Sequence, residues 1–230
     1  MPPATITRNR TPAAPFSRDS ATWRSRVLLH TPRNWTKPAV FLVEHGDRRY
    51  VVKDQSSQPA WYRRTVGSWL LRREAEAFRR LLPVSAVPDF AGWVDKDAFA
   101  TVWAEATPLS DPSNARPPEA IFRRLSDLFD EMHQHGVAHG DPHPDNILIS
   151  AQRGPYLVDF AVAQLEGGSF IRRWLYRQAL LVDRRKLAKL KRQYAPGLLT
   201  ERDRASLERP RLHRAIAGMR QALRRRRRRD

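Results

Sequence analysis

The order in which hydrophobic periodicity changes along the chain is its strongest constraint on fold. Period-two patterning is confined to the first half. Ala39-Val40-Phe41-Leu42-Val43 and Arg48-Arg49-Tyr50-Val51-Val52-Lys53 are β-branched and aromatic runs around Glu44-His45-Gly46-Asp47, which predicts a hairpin over 39–53 with Gly46 in its turn. Residues 54–60 read as a loop. Val66, Leu70, Leu71, Ala75, Phe78 and Leu82 then recur at helical spacing over 62–82, up to Pro83. Short strands are expected over 87–93 and 98–104, and 110–118 is a polar, proline-bearing separator. A helix is expected over 119–135, with Ile121, Leu125, Leu128, Phe129 and Met132 on one face and Gly136 as its stop. Two short apolar runs, 147–149 and 156–159, flank Gln152-Arg153-Gly154-Pro155, and from about 170 the pattern is that of basic helices broken near Pro196-Gly197 and Pro210. Strands with one helix first, then mostly helix around a small hairpin, specify an α+β fold of two lobes. The expected boundaries are a flexible tail over 1–22, an N-lobe over 23–107, a C-lobe over 108–221 and a basic tail over 222–230.

Charge is distributed unevenly. Residues 1–169 hold 21 Lys/Arg against 19 Asp/Glu, whereas residues 170–230 hold 21 against 5. A nearly neutral body with a cationic C-terminal quarter points to an anionic partner at that end, such as a phospholipid surface, a phosphorylated glycolipid or nucleic acid. The chain contains no cysteine, which excludes disulfides, thiolate nucleophiles and cysteine-ligated metals. No apolar run in the first 40 residues has signal-peptide length, and no stretch approaches the roughly 20 apolar residues of a membrane span. A cytoplasmic protein is the expectation, with peripheral contact at the inner face of the inner membrane.

The strongest chemical signal is His139-x-Asp141-x-x-x-x-Asn146, followed by Val158-Asp159-Phe160. Phosphoryl transfer asks little covalent chemistry of a protein. It needs an acceptor hydroxyl held in position and charge neutralised on a triphosphate. Asp141 suits the hydroxyl proton. Asn146 and Asp159 supply the hard oxygen donors that Mg²⁺ prefers. Pro142 and Pro144 keep this segment out of a helix, so the groups sit on a braced loop after one helix and before a strand. The same prolines argue against reading His133, His135, His139 and His143 as a metal site, since His139 and His143 cannot share a helical face.

This segment resembles the catalytic and metal-binding loops of the protein-kinase-like superfamily. His139-Gly140-Asp141 is similar to the version found in aminoglycoside and choline phosphotransferases and in bacterial sugar and lipopolysaccharide kinases. Leu71-Arg72-Arg73-Glu74-Ala75-Glu76-Ala77-Phe78, Val87-Pro88 and 135–141 look most like small bacterial lipopolysaccharide-core kinases, the Kdo type among them, and related atypical serine/threonine kinases, with RIO-type protein kinases more distant. The resemblance implies ATP and Mg²⁺ as cofactors, Asp141, Asn146 and His139 as catalytic residues with His139 bracing the loop, and Asn146 with Asp159 as metal ligands. It implies that Val51 and Lys53 lie on the nucleotide-binding strand, that Lys53 grips the α- and β-phosphates while Glu74 holds it, and that Leu148 floors the adenine pocket. Gly140 stands where protein kinases carry an arginine that pairs with a phosphorylated loop, so phospho-activation is not expected. Ala161 replaces the glycine of Asp-Phe-Gly. No G-x-G-x-x-G precedes Lys53, so phosphate cover must come from backbone within roughly 27–40, near Asn34-Trp35.

The expected function is transfer of phosphate from ATP to a sugar hydroxyl of a lipopolysaccharide or glycolipid core. The alternatives are a small bacterial serine/threonine kinase and a non-catalytic nucleotide-binding adaptor. The polyarginine end lacks interleaved aromatic residues, so nucleic acid is not expected as a partner. By contrast Phe170-Ile171-Arg172-Arg173-Trp174-Leu175-Tyr176-Arg177 mixes arginine with aromatic residues, a composition suited either to an interfacial helix on an anionic membrane or to a C-lobe helix packed in the core.

Overall fold

The structure, a computed structural model, describes residues 13–31 and 35–208. Its N-terminal part is an antiparallel sheet of five strands: β1 (Val27–His30), β2 (Ala39–His45), β3 (Arg48–Asp54), β4 (Phe90–Asp95) and β5 (Ala98–Val102), in the order β1-β2-β3-β5-β4. β2 and β3 form the expected hairpin, with His45 opposite Arg48. β1 was not foreseen. All four of its residues are exposed, so it carries no alternation to read.

Both faces of the sheet are apolar, and both are covered. Phe99 turns to one side, where it meets Phe78 of the long helix. Val43, Tyr50, Val52, Ala98 and Ala100 turn to the other and pack on Phe16 and Trp23. Residues 13–22, expected as part of a flexible tail over 1–22, are therefore part of the fold. The Ala14 amide donates to the Trp93 carbonyl, Arg18 pairs with Asp54 at 2.8 Å and Asp95 at 2.5 Å, and Ser20 caps the short helix α1 (Ala21–Arg24). A sheet face carrying Val43 and Val52, each wholly buried, needs such a lid.

The helix expected over 62–82 begins two residues earlier, as α2 (Ala60–Tyr62), passes through a π-helical turn (Arg63–Gly67) and continues as α3 (Ser68–Arg80). A π turn inserts one extra residue and rotates the turns before it out of phase with the turns after it. Val66, placed by periodicity on the apolar face, is consequently exposed, while Leu71, Ala75 and Phe78 are buried as expected. Leu82 lies beyond the helix end and is exposed too.

The second part is built on α4 (Glu119–Gln134) and α5 (Phe170–Tyr194), with α6 (Glu201–Leu207) after them. Phe122, Leu125, Phe129 and Met132 of α4 enter one continuous core with α3, β5 and α5. A short strand β6 (Thr107–Pro108) precedes α4. Between α4 and α5 lie the small strands β7 (Val137–Ala138), β8 (Ile147–Ser150), β9 (Gly154–Leu157) and β10 (Gln164–Leu165), and β6 joins β8. The strand expected over 156–159 thus ends at Leu157, although the Val158 amide still donates to the Asn146 carbonyl. The two lobes and the α+β class are those expected. Pro210 and the 222–230 tail lie outside the described residues.

Candidate functional site

Strand alternation places Val51 and Lys53 on the half-buried face of β3, opposite Tyr50, Val52 and Asp54. The Lys53 ammonium lies between two carboxylates. Glu74 reaches it from α3, and Asp159 Oδ1 is 2.6 Å away. Glu74 sits within the buried stripe of Leu71, Ala75 and Phe78, whereas Glu76, two residues on, is more open and pairs with Arg79 and Arg80. Burial pulls the Lys53 pKa down, but Glu74 and then Asp159 outweigh it, and the net shift is upward. Burial also dominates at Glu74 and raises its pKa despite Lys53. The two directions agree physically: the lysine gains from two carboxylates, while Glu74 gains from one ammonium and bears full desolvation. Lys53 holds the Asp159 carboxyl below its ordinary range.

Asp159 is the one non-glycine among the described residues with positive φ, at +63°. Left-handed backbone at a carboxylate paired with a lysine is strain of the kind concentrated at functional sites. The next turn is secured from α3, where Arg73 donates to the Ala161 carbonyl at 2.9 Å. Lys53, Glu74 and Asp159 line a cavity of about 360 Å³, together with Lys37 and Val40 from the β1–β2 side. Within that connection Trp35 packs on Trp61 and Tyr62, with ring centroids 5.6 and 5.4 Å away, and the Tyr62 hydroxyl donates to the Thr36 carbonyl. An aromatic cluster thus anchors the segment where a glycine-rich loop is missing. Asn34 lies outside the described residues. A larger cleft of about 550 Å³, at Val87, Trp103 and Tyr156, carries none of the groups gathered around Lys53 or Asp141.

The second group is the loop 139–146. His139 is wholly buried, and burial keeps its pKa below the ordinary value. Its Nε2 lies 3.0 Å from the Val158 carbonyl, and its Nδ1 accepts from the Asp141 amide at 3.3 Å. A carbonyl can only accept, so the ring is neutral with its proton on Nε2, and it ties the loop to the residue before Asp159. Gly140 has φ +81°, and a Cβ there would stand 3.0 Å from the Val162 carbonyl oxygen. Asn146 donates through Nδ2 to the Asp141 carbonyl at 3.0 Å, which leaves Oδ1 to accept or to ligate. Leu148 is half-buried on β8, opposite Pro108 and Tyr156.

Two residues of α5 escaped the sequence reading. Asp183, wholly buried, accepts from the His139 and Gly140 amides, both at 2.8 Å, and meets His133 Nε2 at 3.0 Å. One turn later Lys186 donates to Asp141 Oδ1 at 2.5 Å. The available signal was faint: Asp183 is the single acid of α5 and falls in phase with Tyr176, Ala179 and Leu187 on its inward stripe. The structure therefore gathers Lys53, Glu74 and Asp159 by direct ion pairs, and His139, Asp141 and Asn146 by loop hydrogen bonds. His139 links the two groups.

Superposition on solved structures finds the Rio2 kinase–ADP/Mg²⁺–phosphoaspartate complex from Chaetomium thermophilum, with TM-score 0.51 over 77% of this chain and 58% of that one, at 16% identity. The chain has the protein-kinase-like fold. Residues 70–166 of this kinase-like chain match the model of the phosphotransferase enzyme family. Among curated relatives, the serine/threonine-protein kinase PknD of Mycobacterium tuberculosis is 28% identical over 137 residues, 54% of this chain and 20% of the relative. PknE of the same organism is 33% identical over 106 residues, 40% of this chain and 18% of the relative, and PknH of Mycobacterium bovis is 31% identical over 133 residues, 54% of this chain and 22% of the relative. The matched region spans about a fifth of the length of these relatives. Among the described residues no helix is long and apolar enough to cross a membrane.

Proposed function

We propose that this protein is an ATP-dependent phosphotransferase acting on a hydroxyl acceptor. The observation that carries the reading is Lys53 bridging Glu74 and Asp159, 2.6 Å from the latter, beside a loop that presents Asp141. Lys53, held by Glu74, grips the α- and β-phosphates of ATP, and Val51 and Leu148 wall the adenine. Asp159 and Asn146 offer a carboxylate and an amide oxygen, a donor set that suits Mg²⁺. Bound there, the cation offsets negative charge on the phosphates. Asp141 takes the acceptor's hydroxyl proton as the acceptor oxygen bonds to the γ-phosphorus and the bond to the β,γ-bridging oxygen breaks, releasing ADP. His139 keeps the Asp141 backbone in place.

The acceptor class we favour is a sugar hydroxyl of a lipopolysaccharide or other glycolipid core, met at the cytoplasmic face of a membrane. The neutral body with its basic C-terminal quarter supports it. The serine/threonine kinases among the curated relatives favour a second reading, transfer to a protein hydroxyl. Purified protein is incubated with Mg²⁺ and γ-labelled ATP, with a glycolipid core extract or a cell lysate as acceptor. Label in the lipid fraction, reduced about 10²- to 10⁴-fold in Asp141→Asn as for loss of a general base, supports the first reading. Label in protein alone supports the second. Intact nucleotide binding with no transfer to either points to a nucleotide-binding adaptor and overturns both.

A further inference from the structure

α5 is apolar on two sides in its first half. Its inward stripe of Tyr176, Ala179, Asp183 and Leu187 packs beneath the catalytic loop. Yet Phe170 is 75% exposed, Ile171 67%, Trp174 52% and Leu181 56%, with Leu175 and Val182 beside them. At 100° per residue these six fall on the outward side, opposite the inward stripe. The core needs only one face of a surface helix, so a second apolar face implies an occupant outside the core.

Charge selects among occupants. Arg172, Arg173, Arg177 and Arg184 are all exposed along this stretch. The helix's single acid, Asp183, is wholly buried and engaged with the catalytic loop. A second copy docking through the same face would set guanidinium against guanidinium. Phe170, Arg173, Trp174 and Arg177 also enclose a notch of about 290 Å³. Two guanidiniums one helical turn apart, beside two aromatic side chains, combine phosphate donors with groups that settle at the headgroup boundary.

We infer that the outward face of α5 from Phe170 to Val182 docks on an anionic phospholipid bilayer, with lipid phosphates in the Arg173–Arg177 notch. The same helix holds the catalytic loop through Asp183 and Lys186. Trp174 lies roughly 18 Å along the axis from Lys186, at 1.5 Å per residue. Docking through the side of the helix would therefore hold Asp141 roughly 18 Å along the membrane plane from the Trp174 anchor.

The test is co-sedimentation of the full chain with vesicles of phosphatidylcholine alone, or of phosphatidylcholine mixed with phosphatidylglycerol. It needs no ATP, so its result is separable from the phosphotransfer reading. The expected result is binding to the anionic vesicles only. Arg173→Gln with Arg177→Gln lowers the partition coefficient about 30-fold, the loss for two surface guanidiniums. Phe170→Ser with Trp174→Ser weakens binding and makes what remains more sensitive to about 0.5 M salt than wild-type binding, because screened charge then carries a larger share of it. These positions are exposed, so far-ultraviolet circular dichroism should match wild type. Three results each overturn the inference: wild type that ignores anionic vesicles, partition unchanged in both double variants (which would hand binding to another basic segment), or a wild-type dimer that Trp174→Ser dissociates.

Discussion

Asp183→Asn changes a side chain hardly at all in shape, yet it should be among the most damaging single substitutions in this protein. Oδ1 of the carboxylate accepts from the Gly140 amide and Oδ2 from the His139 amide, each at 2.8 Å, with His133 Nε2 also on Oδ2 at 3.0 Å. Asparagine offers one oxygen where two are used. Its NH₂ group must face a backbone N–H at a site closed to bulk solvent, since Asp183 and His139 are both wholly buried. Losing a hydrogen bond to a charged acceptor while stranding a buried donor costs about 2–4 kcal/mol. In a chain of this size that lowers the melting temperature by roughly 5–15 °C, a large share of a total stability of about 5–15 kcal/mol. Denaturant titration of wild type, Asp183→Asn and the exposed helix control Asp130→Asn measures it directly. The control should stay within about 0.5 kcal/mol of wild type. If Asp183→Asn does so as well, the claim that α5 supports the loop 139–146 through this carboxylate is wrong.

Lys53→Met strands Glu74 in the core and should cost about 3 kcal/mol at neutral pH, as for breaking a buried pair. Glu74 already has a raised pKa, so it can take up a proton as pH falls; the deficit relative to wild type should shrink towards acidic pH, and a constant deficit in urea midpoints would count against this. His139 has a depressed pKa from burial, so the stability it contributes is full above its unfolded value of 6.5 and is lost as pH falls from there through the folded value. Wild type should therefore lose more stability between neutral pH and about pH 5 than His139→Asn does, as read by thermal scans at each pH. The Lys186–Asp141 pair is part-exposed, so Lys186→Met should change stability by under about 1 kcal/mol. Its effect should appear in transfer kinetics, with partial recovery in Lys186→Arg; unaltered kinetics would make the contact incidental.

The candidate groups Asp141, Asn146 and Asp159 were legible because the spacing H-x-D-x-x-x-x-N and the Asp-Phe pair after it are features of local sequence. Lys53 and Glu74 were singled out by the family resemblance, and the structure pairs the two side chains. What escaped depends on contacts across the fold. The π turn at 63–67 ends at Gly67, where a Cβ would sit 2.7 Å from the Gln55 side chain, a close approach between residues 12 apart that no local propensity encodes. Asp183 lies 44 residues from the His139 amide it accepts from and resembles any helix acid until α5 is placed. The first half of α5 left two faces open in sequence, core or interface, and the structure fills one and exposes the other.

The strap over 13–24 bears on how this protein can be cut and handled. Phe16 and Trp23 shield Val43 and Val52, and Arg18 ties the strap to both Asp54 and Asp95. A version trimmed to begin at the first strand would present a bare aliphatic sheet face to its neighbours and should precipitate during purification. Tags and fusion joints belong before Ala13, where added chain leaves the strap intact.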